Sequence, residues 1–243
     1  GRCMTTQRTH DVVVIGGGSA GYAAARTARE AGADVAIVDQ GPLGGLCILR
    51  GCMPTKALLR SAEIAAVMRR APEFGLSPVE VRASLSAIVD RKNRLVREFA
   101  EYRIQQLRDP AFALYEAPAT FLSPYRLQVG STCLAAKSFI IATGSVPREV
   151  AIQGLAEAGC VTSDSVLDRR EQPESLIVLG AGPVGLEFGQ FFARIGTPVT
   201  LVQRAPHVLS HLDADVGVAL GQALAAEGLR VMTDTQALRV QRD

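Results

Sequence analysis

The sequence predicts an α/β fold containing two parallel-sheet units, and three observations carry that prediction. A strand–turn–helix–strand pattern occurs twice, over residues 11–39 and again over residues 175–203. Each copy has a glycine-rich turn, Gly16-x-Gly18-x-x-Gly21 and Gly180-x-Gly182-x-x-Gly185, at the same distance from the end of its second strand. Between the copies the texture changes to an amphipathic helical stretch and a short alternating segment.

Taken in order, DVVVIG (11–16) is a continuous apolar run of the kind buried in a parallel sheet. Tyr22 to Ala31 is alanine-rich and suits a helix, Gly32 suits its C-terminal cap, and DVAIVD (34–39) reads as a second buried strand. Over residues 82–108, Leu85, Ile88, Val89, Leu95, Val96, Phe99 and Leu107 recur at helical spacing, with arginines and acids between them. That pattern predicts an amphipathic helix with a solvated charged face, not a nucleic-acid surface. Thr120 to Val129 alternates around a Ser-Pro turn and Leu134 to Ala142 is apolar again, which predicts a small antiparallel excursion returning to a buried strand, FIIATG (139–144). SLIVLG (175–180), a helix to about Ile195, Gly196 and PVTLVQ (198–203) then repeat the first design. The joint is expected in the loop region from Pro147 to about Pro173, dividing the chain into domains over 11–150 and 151–243. Residues 1–10 read as an unstructured start, with Gly1 to Cys3 an expression scar ahead of Met4.

Composition narrows the function. The chain has 243 residues and a formal charge of +2, too small to argue for nucleic acid or an acidic membrane. No segment approaches the roughly eighteen consecutive apolar residues of a membrane-spanning helix. Five cysteines do not make a secreted disulfide framework, so the chain reads as cytoplasmic, where a close cysteine pair is catalytic or metal-binding.

A single glycine turn of this kind is weak evidence, but two in complete strand–turn–helix–strand context point to two Rossmann-like dinucleotide sites. The glycines let the backbone approach a pyrophosphate, whose charge meets the helix N-terminus. The candidate residues are Gly16, Gly18, Ser19, Ala20 and Gly21 in the first site, and Gly180, Gly182, Val184 and Gly185 in the second. Asp39 ends the first unit's second strand; its carboxylate suits a ribose 2′-OH and repels a 2′-phosphate, so this site takes FAD or NAD. The second site has Gln203 followed by Arg204, which favours NADP(H) over NAD(H).

The remaining feature is GGLCILRGCMPTK (44–56), in which Cys47 and Cys52 stand close together ahead of a Pro-Thr-Lys. Two dinucleotides and a cysteine pair suggest electrons passing from nicotinamide to flavin to disulfide. The stretch resembles the redox motif of the class I pyridine nucleotide-disulfide oxidoreductases, which include dihydrolipoamide dehydrogenase, mercuric reductase and glutathione reductase. VIGGGSAGYAAA, the ATG at 142–144, TSD at 162–164 and VLGAGPVGLE at 178–187 follow in the family's order, so the resemblance covers nearly the whole chain.

The resemblance implies an FAD-binding domain with a small antiparallel excursion over 11–150 and a partial NAD(P)H-binding domain over 151–243. Cys52 matches the thiol that meets the flavin and Cys47 the interchange thiol that attacks substrate, the two forming a disulfide when oxidised. Lys56 matches the lysine near flavin N5 and Glu187 its ion-pair partner, while Gly45, Thr143 and Gly144 match contacts to FAD. Electrons would run from NAD(P)H through FAD to the disulfide and on to a small-molecule disulfide or a metal ion, or the reverse, toward a thiol substrate, as in dihydrolipoamide dehydrogenase. The parent would be a homodimer. The interface domain, with its His–Glu pair, lies after the point where this sequence stops, so the chain alone is expected to be an inactive N-terminal fragment.

Two alternatives stay open: an oxidase or monooxygenase-type flavoprotein with incidental cysteines, and a module that only binds nucleotide. Arg50 reads equally as a thiolate stabiliser or a surface charge. Cys133 and Cys160 are expected as small core residues, His207 and His211 at the surface, and no metal site is expected, since no second Cys/His pair has suitable spacing.

Overall fold

A computed structural model describes residues 7–241, so the reading of Gly1 to Cys3 lies outside the described residues. The chain divides into two compact units. One takes the chain up to Met53 together with Arg94–Val146; the other takes Pro54–Asn93 together with Pro147 onward. The sequence reading placed a joint near Pro147 but did not separate the helical segment 54–93 from the first glycine turn.

The first unit begins with β1 (Gln7–Ile15), α1 (Ser19–Glu30) and β2 (Val35–Asp39); residues 7–10, expected within an unstructured start, are strand because they pair with Cys133–Ala136 of the chain's later strand. The short helix α2 (Leu46–Leu49) follows, and α3 (Cys52–Arg69) starts here before passing into the second unit. α4 (Leu85–Leu107) returns to the first unit, which ends with β3 (Ala113–Glu116), β4 (Ala119–Ser123), β5 (Arg126–Val129) and β6 (Thr132–Ile141). The strands form one sheet in the order β3-β2-β1-β6-β5-β4. β3, β2, β1 and β6 run parallel, while β6-β5-β4 is the expected antiparallel excursion.

The apolar runs in β1 and β2 are continuous because both faces of the sheet are covered. Val14, Val35 and Ile37 pack with Ala25 of α1 and Leu107 of α4. Val13, Ala36 and Val38 pack on the other face with Leu127, Val129 and Leu134. The last strand departs from expectation: β6 ends at Ile141, whose side chain is 68% exposed, and Ile140 is exposed too. β5 pairs with β6 only as far as Ala135, so the C-terminal half of β6 has β1 on one side and no strand of the excursion on the other.

The second unit holds most of α3 and the first turns of α4, followed by β7 (Leu176–Leu179), α5 (Pro183–Arg194), β8 (Val199–Val202), α6 (Ala214–Ala226) and β9 (Arg230–Met232). Its strands form a three-stranded parallel sheet, β7-β8-β9. Phe191 and Phe192 of α5, set edge to face with ring centroids 4.9 Å apart, fill its core with Leu201, Leu224 and Leu229. Leu58 and Ala62 of α3 and Leu85 and Val89 of α4 belong to the same core.

α4 therefore changes cores along its length, and its stripe is less regular than the spacing predicts. Leu85, Val89 and Leu107 are buried, but Phe99 is 46% exposed. On the face expected to be solvated, Lys92 is only 3% exposed, with Nζ 3.0 Å from Asp168 Oδ1. A buried lysine needs a charged partner, and the turn at Ser165–Asp168 supplies it.

Arg194 of α5 forks Glu227, at the end of α6, through Nε to Oε2 and Nη2 to Oε1, both at 2.7 Å. Hydrogen bonding by Arg194 holds the Glu227 carboxyl below its usual range, against the opposing effect of partial burial. A depressed carboxylate stabilises the fold above its unfolded pKa, and that contribution is lost as pH falls through the folded value. The pair is half-exposed, so Glu227→Gln is expected to lower stability by about 0.5–1 kcal/mol at neutral pH. In acid below the depressed Glu227 value the substitution is expected to change nothing; urea unfolding at both pH values measures this, and an equal loss at both would contradict the assignment.

Candidate dinucleotide and dithiol sites

The first glycine turn is a place where backbone packs on backbone. Gly16 has φ +106°, and a Cβ there would lie 2.2 Å from the Ala142 carbonyl oxygen at the end of β6. A Cβ on Gly21 would lie 1.7 Å from the Gly16 oxygen. The Ala142 N–H donates to Ile15 O at 2.8 Å, which sets Thr143 and Gly144 beside the turn. α1 starts at Ser19 and Ala20, both exposed, after an N-cap Gly18 that offers no side-chain cap, and its first turn carries no acid. The leading N–H groups of α1 are thus left to a ligand acceptor or water.

Asp39 closes this turn. Its Oδ2 accepts the Gly17 N–H at 2.6 Å and its Oδ1 the Gly41 N–H at 2.7 Å. Each carboxylate oxygen has two lone pairs, so both retain one for a ribose hydroxyl. Gly17 and Gly41 were missed by sequence reasoning, although the uninterrupted Gly16-Gly17-Gly18 run was a signal for the first. These features fit FAD: a cradle with no room for side chains, an uncapped helix start for the pyrophosphate and a carboxylate for the ribose.

The same cradle positions the cysteines. Gly45 has φ +78°, and a Cβ there would stand 2.3 Å from the Gly18 Cα. The chain after β2 is therefore pressed against the start of α1, and α2 begins one residue later. Ile48 anchors α2 in the interior, leaving Cys47 half-buried and Arg50 exposed. Gly51 then folds back so closely that a Cβ would lie 3.0 Å from the Cys47 Cα. Cys52 follows as the first, exposed residue of α3. Pro54 falls in the first helical turn, where its missing N–H costs nothing. Gly51 is a further residue that sequence reasoning did not single out.

Within the second unit, Lys56 Nζ lies 2.5 Å from Glu187 Oε1, so the structure joins the two residues expected to pair. Lys56 stands one helical turn along α3 from Cys52.

The second glycine turn repeats the first. Gly180 has φ +97°, a Cβ on Gly185 would lie 2.1 Å from the Gly180 oxygen, and α5 starts from an uncapped Gly182 with Pro183 in its first turn. Val184 is exposed beside it. Gln203 takes the place of Asp39: its Oε1 accepts the Ala181 N–H at 3.4 Å. Arg204 is exposed.

Two smaller expectations are corrected. Cys160 is exposed because it lies in an irregular stretch between two loops, whereas Cys133 is buried in β6. His207 is half-buried, its Nδ1 2.9 Å from Val208 O in a space that Gly217 leaves open; His211 is exposed. Among the described residues no group of three or more His, Cys, Asp or Glu is placed to hold a metal ion.

Gly45→Ala combines a close backbone approach with a left-handed φ and is expected to cost about 2–4 kcal/mol. Denaturant unfolding and retention of flavin through gel filtration measure it. A loss below about 1 kcal/mol with flavin retained would contradict the cradle described above.

A family model described as pyridine nucleotide-disulphide oxidoreductase matches residues 10–243. A mercuric reductase from Staphylococcus aureus is 34% identical over 235 residues, covering 96% of this chain and 43% of the relative. A dihydrolipoyl dehydrogenase from Acholeplasma laidlawii is 32% identical over 238 residues, covering 96% of this chain and 71% of the relative. The Cu(II) complex of the HOCl-induced flavoprotein disulfide reductase RclA from Escherichia coli superposes with a TM-score of 0.81 at 27% identity, over 96% of this chain and 51% of that one. The chain thus spans about half the length of most of these relatives.

Proposed function

The chain belongs to the pyridine nucleotide-disulphide oxidoreductase family, and from that premise we propose that the whole protein is a flavoprotein that reduces a small disulfide, or a thiophilic metal ion, at the expense of NADP(H). FAD occupies the first site, against Gly16, Gly18, Ser19, Ala20, Gly21, Asp39, Gly45, Thr143 and Gly144. NADP(H) occupies the second, against Gly180, Gly182, Val184, Gly185, Gln203 and Arg204. The working form is a cytoplasmic homodimer. The observation that carries the reading is the seating of Gly45 on Gly18, which ties the cysteine segment to the helix start that receives the FAD pyrophosphate.

Bound FAD supplies a carrier that accepts two electrons as hydride from the nicotinamide and passes them to a disulfide. The residues of this chain do the rest. Reduction opens the Cys47–Cys52 disulfide to two thiols. The Cys47 thiolate attacks one sulfur of the substrate disulfide, expelling one substrate thiol and leaving a mixed disulfide. The Cys52 thiolate then attacks Cys47 Sγ, the second substrate thiol departs, and the Cys47–Cys52 disulfide is restored. The balance is one NADPH and one proton consumed for each disulfide converted to two thiols. Cys52 opens a helix, whose N-terminus favours the thiolate. Lys56, farther along the same helix, is paired with Glu187 within the second unit.

Single-cysteine variants test this reading. In the full-length protein, Cys47→Ser is expected to leave a thiolate at Cys52 against the flavin and to show a long-wavelength absorbance band without added reductant. Cys52→Ser is expected to lack the band, and both variants to lose disulfide reduction. A band in Cys52→Ser alone would reverse the two roles, and no band in either would remove the cysteines from the flavin pathway.

A further inference from the structure

The two glycine turns are closed by different chemistry. Asp39 meets only donors, the N–H groups of Gly17 and Gly41, and a carboxylate suffices. Gln203 meets a donor and two acceptors. Its Oε1 accepts from Ala181 N–H, while its Nε2 donates to the His207 carbonyl and to Ser210 Oγ, each at 3.4 Å. A carboxylate has no proton to donate to a carbonyl, so this loop requires the amide.

Two further contacts hold the same loop. Leu209, at φ +50°, donates its N–H to the Ala181 carbonyl at 2.9 Å. The His207 ring sits where a Cβ on Gly217 would come within 2.3 Å of Nδ1. The segment from Gln203 to Ser210 is thereby fixed to the second glycine turn and to α6, with Arg204 and Ser210 both exposed on it. Ser210 Oγ receives the Gln203 N–H through one lone pair, which leaves the hydroxyl proton to be donated to another acceptor.

We propose that Ser210, oriented by Gln203, is a second donor to the 2′-phosphate of NADP(H) beside Arg204, and that Gln203 acts on the phosphate by positioning Ser210. This rests on the reading of the second site as an NADP(H) site. An uncharged carboxamide at 203 also avoids the repulsion that a carboxylate would exert on the phosphate.

The test is isothermal titration of the FAD-loaded full-length protein with 2′,5′-ADP and with 5′-AMP, which differ only in the 2′-phosphate. The unaltered protein is expected to prefer 2′,5′-ADP, and Arg204→Ala to remove most of that preference. Ser210→Ala is expected to weaken 2′,5′-ADP about tenfold, the worth of one charge-assisted hydrogen bond, and to leave 5′-AMP unchanged. Ser210→Thr, which keeps the hydroxyl, is expected to retain tight binding. Gln203→Met is expected to weaken 2′,5′-ADP similarly, with little added loss when combined with Ser210→Ala, since the two residues act as one unit. Binding of 2′,5′-ADP by Ser210→Ala as tight as by the unaltered protein, or an equal weakening of both nucleotides, overturns the proposal alone. Equal binding of the two nucleotides by the unaltered protein removes the coenzyme reading and the proposal with it.

Discussion

Backbone lying directly on backbone is the constraint on which both units depend. In the first, the Gly16 oxygen approaches Gly21, Ala142 O approaches Gly16, and Gly45 rests on Gly18, all at separations that leave no room for a Cβ. In the second, the Gly180 oxygen approaches Gly185 in the same way. Any side chain at these positions would have to displace main chain, which cannot rotate aside as a flexible side chain can. The close approaches start a helix directly from a buried strand with its leading N–H groups uncapped, which is the arrangement that receives a pyrophosphate. In the first unit the approach goes one layer further. Gly45 carries the next segment onto the helix start, and the cysteines follow within a few residues.

The residue ending the second strand of each unit adapts this shared frame to its ligand. Asp39 and Gln203 both take the N–H of the residue after the first glycine, so the clamp itself is common to the two copies. What differs is the other end of the clamp. The charged acceptor at 39 gathers a second N–H and keeps lone pairs for a neutral ribose. The amide at 203 gathers a carbonyl and a hydroxyl and carries no charge to oppose a phosphate. One change of side chain therefore alters both the partners that hold the following loop and the charge presented at the strand end.

Much of this was legible in the sequence because it is local. Glycine spacing, apolar runs in β1 and β2, and the alanines of α1 act within a few residues of one another, and the strand–turn–helix–strand units follow from them. The Lys56–Glu187 pair was reachable only through a family resemblance, since no periodicity links residues so far apart in sequence. What was not legible depends on which core a segment joins. α4 supplies Leu85 and Val89 to one core and Leu107 to another, so a single helical stripe was too simple, and Lys92 is buried because Asp168 comes back to meet it. The exposure of Ile141 depends on β5 stopping short, and the partial burial of His207 on a glycine ten residues later in α6. Such facts belong to tertiary pairing and leave no mark on the local pattern.

The most direct test of the central claim, that the cysteine segment and the first dinucleotide site form one redox unit, is an anaerobic titration of the purified full-length protein with dithionite. The flavin spectrum records how many electrons the protein accepts before the flavin is fully reduced. We expect twice the reducing equivalents that the flavin alone can hold, with Cys47→Ser and Cys52→Ser each falling to the flavin's own capacity. Full reduction of the unaltered protein at the flavin's own capacity would contradict the claim and leave Cys47 and Cys52 as bystanders.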